Sequence, residues 1–245
     1  MEKIKYLSRI QLFSELEVEE LEKIEPVAPI TIMKKGTLIT TPHQSQKFLY
    51  LIKSGKVRLY QITSEGSELT LDVLGVGHIF GEVGTFTTGS ENLYAQTWED
   101  SLICTIDKTE FENFLQKKPD IALKFIEFLS KRLQEVEELL EYMAYGSVRK
   151  RLLFLLNKLS VKFGVKISME ESLHQEEDWI QLDIAVTHQE LATMMGSIRE
   201  TVTGLLQDFT AEGIIRKEGQ RKPFQIHYSR LKQALAKDQM RQVTK

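Results

Sequence analysis

A single cysteine, Cys104, is the only thiol in this sequence of 245 residues. That excludes an intrachain disulfide framework and any zinc or iron–sulfur centre held by several converging thiolates, and it points to a cytosolic setting. No stretch approaches the roughly eighteen consecutive apolar residues of a membrane-spanning helix. The opening MEKIKYLSRIQLFSELEVEE carries charges every few positions where an export signal would have an apolar block. A cytoplasmic protein with no membrane partner is therefore expected. A strong net charge is missing too, since 32 basic residues face 35 acidic ones. Dividing the chain after residue 145 uncovers what the total hides. The first part holds 16 Lys and Arg against 23 Asp and Glu, the second 16 against 12, so an acidic body precedes a mildly basic module.

From about residue 30 to 107, apolar residues alternate or cluster in short runs separated by glycine: TIMKKGTLIT, KFLYLIKSGKVRLYQI, SELTLDVLGVGHIF, LYAQTW and DSLICTI. This is the rhythm of short strands joined by turns, with SGK and EGS as hairpin connections, and it predicts a sandwich or barrel. Ahead of it, LFSELEVEELEKI has helical spacing, with Ser14 as N-cap and Glu17 at the capping-box position. No His and carboxylate cluster accompanies the strands, which argues against a barrel metalloenzyme; no metal or cofactor is expected.

After the strands the period changes. Ala122, Ile126, Leu129, Leu133, Val136, Leu140 and Met143 follow spacings of four and three among many charged residues. This predicts a coiled-coil seam on a helix of roughly 36 Å and a parallel homodimer; the alternative is one long helix laid on the barrel through Phe125 and Phe128. Gly146 and Ser147 interrupt the seam, and VRKRLLFLLNKLSVKFG opens a new amphipathic helix. Residues 164–180 are polar and aperiodic and are expected to form a loop leading to a short strand at 180–182.

Two helix starts then follow ten residues apart. Thr187 with Glu190, and Ser197 with Glu200, both have capping-box spacing. Ala192 is small enough to let two helices cross closely, and Gly196 can take the left-handed conformation that ends the first. Leu191, Met195, Val202 and Leu205 supply the apolar wedge of a helix-turn-helix. Arg199 can bond guanine O6 and N7 together, and Glu200 can accept from the cytosine amino group. Thr187, His188, Gln189, Ser197, Thr201 and Thr203 are candidate phosphate or base contacts. Downstream, GIIRKEGQRKPFQIHY reads as strand, turn and strand. Arg216, Lys217, Arg221 and Lys222 make that hairpin a basic wing, and Arg221 and Lys222 are expected to touch DNA.

These features together resemble the Crp-Fnr family of bacterial transcription regulators. The specific matches are LYLIKSGKVRLY (residues 49–60), GHIFGEVGTF (77–86) and VTHQELATMMGSIRETVTGLLQDFTAEGII (186–215). The resemblance covers nearly the whole chain and implies an α+β protein in three parts. An N-terminal antiparallel β-roll of the jelly-roll or cupin-like kind, similar to cyclic-nucleotide-binding domains, spans residues 1–118; a dimerisation helix spans 119–145; a C-terminal winged helix-turn-helix spans 146–245. It implies a regulator, not an enzyme, that binds a near-palindromic site on double-stranded DNA as a homodimer. A small effector would control it, and RNA polymerase would be a partner if it activates. The alternative is an effector-independent DNA-binding protein whose β-roll serves only assembly.

In cyclic-AMP-binding members, the resemblance implies a Gly-Glu pair at the ribose and an Arg-Ser pair at the cyclic phosphate. Gly81 and Glu82 match the first pair, whereas Asn92 and Leu93 stand at the second. Neither can replace the bidentate, charge-assisted grip of arginine, so cyclic AMP is not the expected effector. Phe80, Gly81, Glu82, Asn92, Leu93 and Tyr94, together with Phe86, mark the candidate effector region. One cysteine cannot hold the iron–sulfur cluster of the oxygen-sensing members, and Cys104 in LIC reads as a buried thiol. His43 and His78 show no pairing that suggests haem. Many relatives with the Arg-Glu pair carry another arginine five positions after the first, where this chain has Gly204.

Overall fold

The computed structural model describes residues 13, 18–19, 29–42, 47–83, 86–87, 92–167, 178–217, 219 and 222–243. Ser14 and Glu17, the expected caps of an N-terminal helix, lie outside the described residues. The chain forms two compact units, Met1–Val136 and Glu137–Lys245.

Among the described residues, the first unit holds nine strands: β1 (Ile30–Met33), β2 (Leu38–Thr40), β3 (Phe48–Ser54), β4 (Val57–Ile62), β5 (Glu68–Leu74), β6 (Ile79–Val83), β7 (Phe86–Thr87), β8 (Tyr94–Thr97) and β9 (Ser101–Asp107). They form two antiparallel sheets, in the orders β1-β9-β3-β6-β7 and β2-β8-β4-β5. Tyr50 and Ile52 of β3 point inward to meet Val57, Leu59, Leu74 and Ala95 of the second sheet. Their neighbours Leu49 and Leu51 point the other way, onto Phe111, Ile121 and Phe125. Alternate residues of a strand face opposite sides of its sheet. A strand covered on both sides therefore becomes a continuous apolar run, which is what LYLI is.

The two turns foreseen in this region behave differently. EGS closes a true hairpin, because β4 and β5 pair antiparallel from Val57↔Leu74 to Ile62↔Glu68. SGK does not: β3 pairs with β6 and β9, and β4 with β5 and β8, so the turn at Gly55 carries the chain from one sheet to the other. Turn chemistry is local, whereas pairing partners are set by which apolar faces close the core.

Helix α1 (Lys108–Lys117) follows β9 directly, capped by the Asp107 side chain, which accepts from Thr109 N. Helix α2 (Pro119–Tyr145) starts on proline, whose missing N–H is harmless in a first turn. Its first half belongs to the roll: Ile121 and Phe125 are buried in the core, and Phe128 and Leu129 pack against it. Arg132 then reaches β5, where its Nη1 lies 2.5 Å from Asp72 Oδ2 and 3.0 Å from Glu135 Oε2. The apolar stripe is exposed at Ile126 and again beyond Arg132, with Leu133 60% and Leu140 62% exposed and Val136 and Met143 exposed as well. The seam positions thus divide by face as well as along the helix: Leu129 packs against the roll, whereas Ile126, Leu133, Val136 and Leu140 are exposed, and Met143, exposed too, has Arg151 Nη1 3.9 Å from its sulfur.

In the second unit, Ser147 caps α3 (Val148–Phe163) by accepting from Lys150 N, and Leu152, Leu153, Leu156 and Leu159 form its buried face. The helix runs straight into β10 (Gly164–Lys166), which pairs with β11 (Trp179–Leu182). The sequence predicts a loop over residues 164–180, and the strand at its start departs from that. The strand is there because its backbone pairs at the sheet edge, and it left no sequence signal because all three residues are exposed; residues 168–177 lie outside those described. Helices α4 (His188–Met195) and α5 (Arg199–Ala211) come next, then β12 (Ile215–Arg216), β13 (Gln225–His227) and α6 (Tyr228–Val243). The sheet order β10-β11-β13-β12 places the β12–β13 hairpin at one edge. An antiparallel roll, a long helix and a winged helix-turn-helix, expected from the sequence, are all present.

Candidate DNA interface and effector region

The entry to α4 is fixed from both sides. Glu190 N donates to Thr187 Oγ1 at 3.1 Å, and Thr187 N donates to Glu190 Oε2 at 2.6 Å, completing the capping box. Gly196 ends the helix at φ 59°, ψ 49°, a left-handed conformation that glycine takes without Cβ strain. Arg151 of α3, which the sequence reading passed over, donates from Nη1 to Met195 O at 2.9 Å, supplying a cation to the carbonyl end of α4. Leu191, Ala192 and Met195 of α4 and Val202 and Phe209 of α5 are buried.

The second expected cap does not form. The N-cap of α5 is Ile198, extended at φ −100°, and no side chain caps the helix. Its carbonyl accepts the first helical bond, from Val202 N, while Ser197 N donates to Ala192 O. The turn therefore takes Ser197, and the helix starts one residue later than its capping spacing suggests. The apolar register differs in the same region: Leu206 is buried and Leu205 only half-buried. Spacing alone does not separate Leu205 from Leu206, because i+3 and i+4 both fit a helix face.

Arg199, Glu200, Thr201 and Gly204 are exposed along one side of α5, and Gln189 is exposed on α4. Arg149 secures the other end of α5, with Nη2 2.6 Å from Glu212 Oε2 and its guanidinium 4.7 Å over the Phe209 ring. His188 and Thr203 meet each other. Thr203 Oγ1 gives its one hydrogen to Arg199 O at 2.8 Å, so Nδ1 of His188 donates in their 2.9 Å contact. The imidazole also stacks near Phe224, whose ring carries Lys217 Nζ at 4.5 Å. Two of the four wing cations are thus held by the fold: Lys217 in this way, and Arg216 by Gln225 Oε1 at 2.5 Å and the Trp179 ring at 4.2 Å. Lys222 is exposed, and Arg221 lies outside the described residues.

Burial, then the charges of Lys217 and Arg199, hold the His188 imidazole below its ordinary value, while Glu190 on the same helix is committed to Thr187 N. A histidine lowered in this way binds fewer protons folded than unfolded. The stability tied to its neutral ring is present above about pH 6.5 and is lost as the pH falls from there through the lower folded value. His188→Gln should therefore show a smaller drop in melting temperature than wild type between about pH 7.5 and about pH 5.5. Equal drops would remove His188 as the source.

In the roll, Phe80 is buried and stacks on Tyr50, with centroids 4.9 Å apart and planes at 12°. Leu93 packs against the same apolar cluster. Tyr94 stacks on Tyr60 at 5.0 Å, and Arg58 lies 4.5 Å over that ring while bound to Glu68 at 2.6 Å and Thr70 at 2.8 Å. A Cβ at Gly81 would come within 2.5 Å of Phe48 O, so strand packing alone requires glycine there. Asn92 is exposed. The side chains of Glu82 and Phe86 lie outside what is described, as does His43; Nδ1 of His78 donates to Gly75 O at 3.1 Å. Among the described residues, no three His, Cys, Asp or Glu side chains converge as a metal-binding set. Cys104 is buried, and no described helix is long and apolar enough to cross a membrane.

Two family models match the chain, a cyclic nucleotide-binding domain over residues 31–118 and a Crp-like helix-turn-helix domain over residues 151–233. The chain is 28% identical over 210 residues to the probable transcriptional regulator flp of Lacticaseibacillus casei, covering 86% of this chain and 89% of that one. It is 26% identical over 214 residues to the CRP-like cAMP-activated global transcriptional regulator of Mycobacterium tuberculosis, covering 87% and 91%. A solved structure of a CooA mutant from Carboxydothermus hydrogenoformans is similar with a TM-score of 0.70 at 25% identity, covering 87% of this chain and 90% of that one. With a nucleotide-binding-type roll ahead of a Crp-like helix-turn-helix, this chain belongs to the Crp-Fnr family of transcription regulators, which bind DNA and are not enzymes.

Proposed function

We propose that the protein acts in the cytoplasm as a homodimer on a near-palindromic DNA site, under control of a small effector other than cyclic AMP. Its parts would be an effector domain over residues 1–118, a dimerisation helix over 119–145 and a DNA-binding domain over 146–245. The observation that carries this reading is the bare stripe of Leu133, Val136, Leu140 and Met143 on α2. Burying such residues against a second copy removes apolar surface from water at roughly 25 cal/mol per Å². Two copies of α5 would then enter successive major grooves, with half-sites about 34 Å apart.

Arg199 and Glu200 would read base edges from the first turn, and Thr201 and Gln189 would add base or phosphate contacts. Thr187, Ser197 and the wing residues Arg221 and Lys222 would hold phosphates. His188 and Thr203 would act mainly on each other. Against cyclic AMP stands Leu93, which lies in the apolar cluster where the resemblance asks for a hydroxyl beside an arginine. An effector bound near Phe80, Gly81, Asn92 and Tyr94 would act only through unequal affinity for two states of the dimer. RNA polymerase would be a partner if the protein activates. The packing of Phe80 and Leu93 into the core also favours a second reading, in which the roll serves assembly alone.

Selection of bound sequences from a random DNA pool, with and without small molecules from a cell extract, tests the proposal. Paired half-sites and a dependence on extract are expected. Single half-sites would overturn the dimer reading, and identical yields would favour the effector-independent one. Gly204 sharpens the test. It is exposed, and no atom lies within 4 Å of where a Cβ would sit, so Gly204→Arg should fold and gain preference at one position of each half-site, by about 1–3 kcal/mol. An unchanged base profile would show that this position does not face the bases.

A further inference from the structure

The residue at the start of α5 is unusual for its position. An N-cap side chain ordinarily accepts a hydrogen bond from the first turn, so serine, threonine, asparagine and aspartate are favoured and isoleucine is among the poorest choices. Ile198 occupies that place, makes no cap and is 63% exposed. The apolar staple of a helix start sits one position before the cap, and there this chain has Ser197. Ile198 contributes nothing evident to local folding. It sits beside Arg199 at the end of the helix that carries the exposed Arg199, Glu200 and Thr201. Its β-branched side chain is also stiff at χ1, so it presents a defined apolar surface with little freedom to lose on contact.

In the major groove, the apolar feature that distinguishes one base from the others is the C5 methyl of thymine. We propose that Ile198 is a specificity-determining residue that reads a thymine methyl next to the base pair contacted by Arg199. This rests on the reading that the first turn of α5 enters the major groove. Ser197 keeps its polar side chain one position earlier, so phosphate contact and methyl contact would fall to adjacent residues of the same turn.

The test replaces each thymine of the selected site in turn by deoxyuridine, which removes the methyl and leaves base pairing unchanged. At one position per half-site, wild-type protein should bind about fourfold more weakly, the worth of one buried methyl group, and symmetric replacement should weaken it about fifteenfold. Ile198→Ser, which gains a cap and so should fold at least as well, should bind thymine and deoxyuridine sites equally. Ile198→Val should retain most of the methyl effect. If no thymine shows a methyl effect that Ile198→Ser removes, while Arg199 still governs the adjacent pair, the proposal fails and the groove reading stands. If Arg199 also governs no base, the groove reading itself fails.

Discussion

Leu133→Lys combined with Leu140→Lys is expected to lower operator affinity by about two to four orders of magnitude while leaving both units folded. The folding half of the expectation follows from exposure, since these side chains are 60% and 62% accessible and cover no core in the single chain. The affinity half follows from linkage of two binding events. Once one recognition helix is bound, a tethered partner meets its half-site at an effective concentration near millimolar, and separating the copies removes that advantage. Four lysines facing one another across a two-fold seam would oppose association directly, and more strongly at low salt. Sedimentation and DNA binding measured on the same sample decide the matter: a monomeric variant with unchanged affinity would sink the dimer proposal. Leu129 is unsuited to this experiment because it packs against the roll core.

Arg199→Ala is expected to remove base discrimination at one position of each half-site. A bidentate contact contributes about 1–3 kcal/mol, so a symmetric dimer loses about 2–6 kcal/mol for the selected site and little for random DNA. Lysine in place of arginine should rescue poorly, because a point charge cannot match two acceptors together. Thermal stability should hold or rise. A cation in the first turn opposes the helix dipole, so removing it relieves a local penalty of about 0.3–1 kcal/mol. Binding that falls equally for all sequences would instead mark Arg199 as a phosphate contact. In the stretch from Ile198 to Glu200, only the glutamate favours a helix start, and such a departure from local preference is what a binding surface produces.

The parts of this molecule legible in the sequence are those specified over a few residues. The Thr187 capping box, Gly196 at the helix end and the EGS hairpin appear in the structure as their spacing implies. The first sheet was legible for a different reason, since burial on both faces leaves an unbroken apolar run. What escaped depends on distant partners or on backbone alone. Nothing local joins Arg132 to Asp72, sixty positions away, or Arg151 to the carbonyl end of α4. Strand β10 is held by main-chain pairing and has no apolar face to show. The second cap does not form although Ser197 and Glu200 have the right spacing, because Ile198 stays extended and the helix begins only after it, leaving Ser197 in the turn, where its N–H donates to Ala192 O. In the candidate effector region, the sequence alone shows Asn92 where the resemblance asks for an arginine. That Gly81 is required by its closeness to β3 needed the fold.

The burial of Cys104 also makes the protein ready for spectroscopy. With 3% of its surface accessible and no second cysteine in the sequence, the native thiol should stay silent toward bulky maleimides while the fold is intact. A cysteine placed at Val136 would then be the single labelling site on each chain. Paired across a two-fold seam, two such labels would report association through one distance, with no background from the roll.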